Sequence, residues 1–258
     1  MLFSVLAGKA YARNLQYRAS HAINTIASGV FGLVFVSIWT GIGESNDLGS
    51  YGAQGMVFYV AVNQTFLWIT SFLTNGLGIA QSVRTGQISL ELMRPVHLFY
   101  HLMSKEWGQV AYQAIYKTMP IYIVYVFAFS IPVPTKVTVW LATFAALALA
   151  AYISICINYL IGVTALWTTE SGWLYWVNFS LSMLLSGYLI PIEWLPGQLR
   201  TVSELSPYPY LQYVPTRIYL EMTGAGALAG SLIWCVLLTL LCYAATALVR
   251  HKVEVQGG

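Results

Sequence analysis

Apolar residues in this chain gather in long runs separated by short polar segments. The runs lie at about 22–42, 55–79, 110–131, 137–160, 173–190 and 227–249. A bilayer's hydrocarbon core is crossed by a helix of about 20 apolar residues. The pattern therefore predicts an all-α integral membrane protein with six transmembrane helices. The fourth and fifth runs are the hardest to part, because only Trp167-Thr168-Thr169-Glu170-Ser171-Gly172 interrupts them. No internal repeat, low-complexity tract or heptad pattern occurs, so residues 1–258 read as a single transmembrane domain.

The segments between the runs have patterns of their own. In the inner connection, about 80–109, Arg84, Gln87, Glu91 and Arg94 recur at i, i+3, i+7 and i+10 and share one helical face. Ile88, Leu92 and Val96 share another. This predicts an amphipathic helix that ends at Pro95, because the residue before proline avoids the helical region. Such a helix either lies in the headgroup layer or acts as a lever gripped by a cytoplasmic partner. A second polar stripe follows at His97, His101 and Lys105, expected on a solvated face. Residues 1–20 have a similar design, with Lys9, Arg13, Gln16 and Ser20 on one side and Phe3, Leu6, Ala10 and Tyr17 elsewhere. They predict an interfacial helix along the inner leaflet, its basic face toward anionic lipid.

The outer connection, about 191–226, is too apolar for a free aqueous loop and too short to span. Pro196 can open one short helix, Pro207 and Pro209 force a break, and a second short helix can follow Pro215. The segment reads as a re-entrant or interfacial helical hairpin packed on the fifth and sixth spans. Trp194, Tyr208, Tyr210, Tyr213 and Tyr219 suit a membrane interface; they serve as an aromatic belt or line an exit.

Composition agrees with lipid as the solvent. The chain is 58% hydrophobic and 8% charged, where a soluble domain carries about 25% charged residues. A net charge of +3 is too small to imply a nucleic-acid partner. Cys156, Cys235 and Cys242 all sit in apolar runs, which argues against a disulfide framework or a zinc site. The first twenty residues contain Lys9, Arg13 and Arg18 and no long apolar core, so no cleavable signal peptide is expected. Lys and Arg also orient the chain. With the N-terminus in the cytoplasm, the inside holds Lys9, Arg13, Arg18, Arg84, Arg94, Lys105, Arg250 and Lys252, and the outside only Lys136, Arg200 and Arg217. Both termini are then cytoplasmic.

Few polar residues fall at membrane depth: Asn63, Gln64, Lys117, Asn158 and Asn178. A central charge costs about 2.5–3.5 kcal/mol on insertion scales, so Lys117 is expected to snorkel or face protein. Asparagines at this depth join helices or meet a ligand. Catalytic chemistry is thin. His97 and His101 are four apart, but the Glu that a zincin needs beside the first His is missing. Gly8-Lys9 is followed by Ala10 and lacks the earlier glycine of a phosphate-binding loop. The chain is thus expected to hydrolyse no ATP and to hold no metal or cofactor.

In arrangement the chain resembles the type-2 class of ABC exporter permeases over nearly its whole length. The N-terminal interfacial helix is one shared feature. Thr85-Gly-Gln-Ile-Ser-Leu-Glu-Leu-Met-Arg-Pro95 is similar to the family's coupling-helix segment. Leu185-Ser-Gly-Tyr-Leu-Ile-Pro-Ile-Glu-Trp-Leu-Pro196 resembles its Ser-Gly/Pro stretch at the outer end of the fifth span, and the Pro-rich hairpin follows. The resemblance implies a permease subunit of an ATP-driven exporter in the bacterial cytoplasmic (inner) membrane. It implies as partners a cytoplasmic ABC ATPase dimer, which holds the ATP and Mg, and a second permease, identical or related. Matching positions place ATPase coupling at Arg84, Gln87, Glu91 and Arg94, and an outer gate at Ser186, Gly187, Tyr188 and Pro191. The substrate path falls to Asn63, Phe66, Asn178 and Met183. The aromatic, weakly charged outer half favours an amphipathic small molecule, drug or lipid-like cargo. Two rival readings stay open: a membrane-embedded enzyme acting on lipid, which needs clustered His or carboxylates, and a non-transporting assembly subunit, which needs no coupling stripe.

Overall fold

The computed structural model describes residues 2–168 and 170–256, with side chains at all of these except 17–20 and 250–256. The side chains of Tyr17, Arg18, Ser20, Arg250 and Lys252, which entered the readings above, lie outside the described residues. Among the described residues every regular element is helical. In chain order these are α1 (Leu2–Asn14), α2 (Arg18–Ser45), α3 (Gly52–Thr70), α4 (Ile79–Arg84), α5 (Gln87–Leu92) and α6 (Leu98–Gln113). A π-turn (Ala114–Thr118) joins α6 to α7 (Met119–Phe129), and α8 (Val137–Thr168), α9 (Gly172–Leu185), α10 (Gly197–Glu204), α11 (Tyr213–Tyr219) and α12 (Leu228–Gln256) complete the chain.

Each apolar run has its helix, but 4 segments among the described residues are long and apolar enough to cross a membrane: His21–Ser45, Gly49–Arg84, Val137–Thr168 and Ala225–Val249. The third run is divided by its π-turn. Pro120 has no N–H to give the carbonyl four residues back and crowds it, and the helix widens there instead of breaking. The fifth run gives only the 14 residues of α9. At 1.5 Å per residue that is about 21 Å, short of a hydrocarbon core of about 30 Å.

The second run was expected to stay helical to Ile79, but α3 stops at Thr70. The chain then opens through Gly76, Leu77 and Gly78, all at positive φ. Side chains of α6 satisfy the exposed backbone: Glu106 accepts the Thr74 N–H at 2.7 Å, and Gln113 donates to the Phe72 carbonyl at 2.6 Å. Buried peptide groups need such partners wherever the helical ladder ends.

α3 and α8 form the centre. Every residue of α3 from Tyr59 to Thr70 is buried. α8 is stitched to α12 by hydroxyl pairs seven residues apart, Tyr152–Thr239 at 2.7 Å and Tyr159–Thr246 at 2.6 Å. Hydrogen bonds of this kind hold helices together where lipid offers no competing hydrophobic force. Between them Cys156 and Cys242 remain free buried thiols. α1 exposes Lys9 and Arg13, and the turn after it exposes Gln16, as expected. α1 also packs along α6, where a side chain at Gly108 would strike the Ala7 carbonyl at 2.1 Å, and Asn14 donates to Gln109 at 2.5 Å.

The hairpin follows its prolines. Pro196 directly precedes α10, and Pro215 sits in the first turn of α11, where a missing N–H costs nothing. An interfacial belt does not describe Tyr219: it is fully buried, and its hydroxyl lies 2.9 Å from that of Tyr122.

Candidate functional site

The Ser186–Pro191 segment ends α9 and would leave that helix's last carbonyls without donors. Three elements supply donors to Leu185 and to the two residues that follow it. Ser203 of α10 donates to the Leu185 carbonyl at 2.7 Å, and the Tyr213 N–H of α11 donates to Ser186 at 3.0 Å. From α3, Tyr59 and Asn63 both donate to the Gly187 carbonyl, at 2.5 and 3.1 Å. Gly187 has φ +75, and a Cβ there would meet Tyr213 Cβ and the Tyr59 hydroxyl at 2.9 Å. Both backbone and space therefore demand glycine. Tyr188 accepts from Gln64 at 2.6 Å and stacks on Phe35, with ring centroids 5.8 Å apart. The amide oxygen of Asn63 accepts from Thr216 of α11 at 2.6 Å. Asn63 thus ties α3 to the segment and to the hairpin at once.

Leucine at Asn63 removes both links while keeping the volume close. The Thr216 hydroxyl would be buried without an acceptor, which costs about 1–3 kcal/mol. Thermal unfolding of Asn63→Leu in detergent, followed by circular dichroism, is expected to show a lowered midpoint. An unchanged midpoint would mean that these bonds are not made.

An ionic knot closes the same end. Arg217 of α11 pairs with Glu193 and bonds the Tyr213 hydroxyl, and Tyr51 at the start of α3 reaches Glu193 at 3.3 Å. The Tyr51 hydroxyl donates to the Glu193 carboxylate, which thus holds α3 as well as α11. Trp194 packs against both Trp39 and Tyr51.

At the opposite end of α3 the expected coupling stripe is not one face. Gly86, at φ +71, caps α5 in a left-handed conformation and divides α4 from α5. The run is therefore two helices of 6 residues each rather than one amphipathic helix, and i, i+3, i+7 spacing no longer aligns its residues. Arg84 points to Glu170 at 2.8 Å, both side chains exposed. Gln87 is exposed. Glu91 turns inward toward Lys105, 3.9 Å away, with its side chain 13% exposed. Arg94 lies past the end of α5 and meets His101 at 2.9 Å. His101 is buried rather than solvated. A guanidinium can only donate, so the His101 ring nitrogen accepts from Arg94.

Sequence reasoning missed two residues of this end. Leu90 and Met93 are 66% and 80% exposed beside Gln87 and Arg94. Their signal was present: Leu90 lies three residues beyond Gln87, off the Ile88–Leu92 face that is turned inward.

The four path residues do not surround one space. Phe66 lines an apolar cavity between α3, α6 and α8. Asn178 of α9 accepts from Tyr208 at 3.0 Å and borders a small gap with Thr70 and Ser154. Asn63 is locked in the bonds above, and Met183 is half-buried on α9. Lys117 faces protein, with its ammonium 3.6 Å from the centre of the Trp68 ring. Among the described residues no three His, Cys, Asp or Glu side chains come together as a metal site.

Long apolar helices, a buried helix end tied to a Pro-rich hairpin and a short exposed helix at the far end define a multi-pass membrane protein. The family model for "ABC-2 family transporter protein" matches residues 28–253. The chain belongs to that family and is a permease subunit of an ABC transporter, the membrane part that works with an ATPase subunit. A search of curated proteins gave no match.

Proposed function

We propose that the chain is one of two paired permeases of an exporter for an amphipathic small molecule, drug or lipid-like cargo in a bacterial cytoplasmic membrane. Six spans, with both termini inside, accord with the Lys and Arg bias. The third and fifth spans are then the π-interrupted α6–α7 helix and the short α9. ATP and Mg belong to the ATPase dimer, which grips α5.

The bare apolar pair Leu90 and Met93, flanked by Gln87 and Arg94, carries this reading. Exposed apolar knobs with a polar rim suit a protein partner. A second permease would cover part of the exposed apolar faces of α2 and α9, which include Val30, Phe31, Trp176 and Leu181, and lipid would cover the rest. The path runs along α9 past Asn178 and Met183. Asn63 and Phe66 join it only when the Ser186, Gly187, Tyr188 and Pro191 gate parts from α3.

The test is transport. The chain and the ATPase encoded beside it are reconstituted in vesicles with a fluorescent amphipathic cargo. ATP supplied on the α5 side is expected to drive cargo to the hairpin side. Movement toward the ATP side, or movement independent of ATP, would reject the exporter.

A further inference from the structure

A cavity of about 310 Å³ lies between α3, the α6–α7 helix and α8, roofed by Tyr219 of α11. No residue of its wall carries a charge. Most of its polar groups are engaged elsewhere. The Tyr122 and Tyr219 hydroxyls bond each other, Trp140 donates to the Pro134 carbonyl at 2.9 Å, and Thr65 donates to Ala61 at 3.0 Å. Thr118 and Thr143, both buried, have hydroxyls without a partner, and the Trp107 indole N–H makes no hydrogen bond either among the described residues. By volume the space would take about ten waters, yet each water needs two to four polar partners. Such a wall suits carbon rather than water.

The opening points the same way. Ala111, Met119, Phe144 and Ala148 at the rim are exposed. So are neighbouring Ile115 and Leu141 on the outer surface of α6–α7 and α8. In a multi-pass membrane protein an apolar outer surface of this kind meets lipid hydrocarbon. The π-turn forms one wall through Ala114 and Thr118, and π-turns inside helices concentrate at functional sites.

We propose that this cavity is a binding site for one acyl chain of a membrane phospholipid, inserted sideways between α7 and α8 with its end beneath Tyr219. The chain would touch α3 at Phe66 and the hairpin at Tyr219. Asn63 and Gly187 do not line the cavity, so the site is separate from the α9 junction. The proposal needs the bilayer only, not the exporter reading, and its readout is lipid contact rather than transport.

The purified protein is placed in phosphatidylcholine nanodiscs doped with a phospholipid bearing a photoactivatable diazirine near the end of one acyl chain. After irradiation, adducts are mapped by peptide mass spectrometry. Because a pocket encloses most of its ligand, adducts at Trp107, Met119 and Phe144 should exceed those at exposed Phe127 and Leu240 by about five-fold. Ala148→Phe places a ring in the mouth and should cut the cavity adducts by about five-fold while leaving the two control positions unchanged. Ala111→Trp blocks the other side of the mouth and serves if the first variant folds poorly. Even labelling of cavity and control positions in the wild type overturns the proposal. So does cavity labelling that persists in a well-folded Ala148→Phe or Ala111→Trp protein.

Discussion

Leu90→Asp is expected to weaken capture of the partner ATPase by about 10- to 100-fold, while the permease still inserts and folds. Leu90 is 66% exposed on α5, so the substitution disturbs little of the fold. Burying a leucine in an interface contributes about 1.5–3 kcal/mol, and each 1.4 kcal/mol is tenfold in affinity. An aspartate in its place must also lose water against an apolar surface, which adds to the loss. Met93→Asp should act in the same direction. Gln87→Ala, at the polar rim, should change much less. The measurement is co-purification of the ATPase at graded detergent-solubilised concentrations, with ATP hydrolysis alongside. Glu91→Lys is a poorer probe, because Glu91 faces Lys105 and reversal would set two ammonium groups against each other. Full ATPase capture by Leu90→Asp would mean that α5 rests on lipid and does not couple.

The second large effect is expected at the ionic knot. Arg217→Met should loosen the hairpin, because it leaves the Glu193 carboxylate half-buried without its cation. Removing one partner of a fully buried pair costs about 3–5 kcal/mol. Here the side chains are 26% and 33% exposed, and solvent screening reduces this to about 1–3 kcal/mol. Hydrogen exchange should rise across 191–220 and stay unchanged in α8 and α12. Glu193→Gln with Arg217→Met should recover part of the loss, because no unpaired charge remains; the double-mutant cycle isolates the pair. Full additivity of the two single changes would show that the knot does not hold the hairpin. In vesicles the loosened hairpin should leave ATP hydrolysis running with less cargo moved per ATP.

Much of the helical plan was legible because membrane helices declare themselves by length and apolarity. The runs at 22–42, 137–160 and 227–249 correspond to α2, α8 and α12 within several residues. The hairpin was legible through its prolines, which act on the local backbone whatever surrounds them. Less legible were the ends of α3 and the division of the third run. α3 ends at Thr70 because Glu106 and Gln113, more than thirty residues away, accept the chain's exit from the helix. No local signal in Phe72-Leu73-Thr74 shows that those partners exist.

The candidate site divides in the same way. The segment Ser186-Gly187-Tyr188 and the residue Asn63 each stood out in the sequence, one by family pattern and one as a polar residue at membrane depth. That they bond each other was not foreseeable, since 124 positions separate Asn63 from Gly187. The expected single helix under the stripe is divided for a local reason that was in view. Gly86 lies inside the stripe, and a glycine that takes φ +71 ends helical register.

Apolar length and proline chemistry alone make this a helical membrane protein, set where most of its helices lie and show which short segments break them. The directions in which Glu91, His101 and Tyr219 face came from packing between distant helices. The same packing decided that α9 ends on α3 and that a hollow remains beside the π-turn. Those outcomes depend on partners far apart in the chain, whose hydrogen bonds and packing exist only once the helices have assembled.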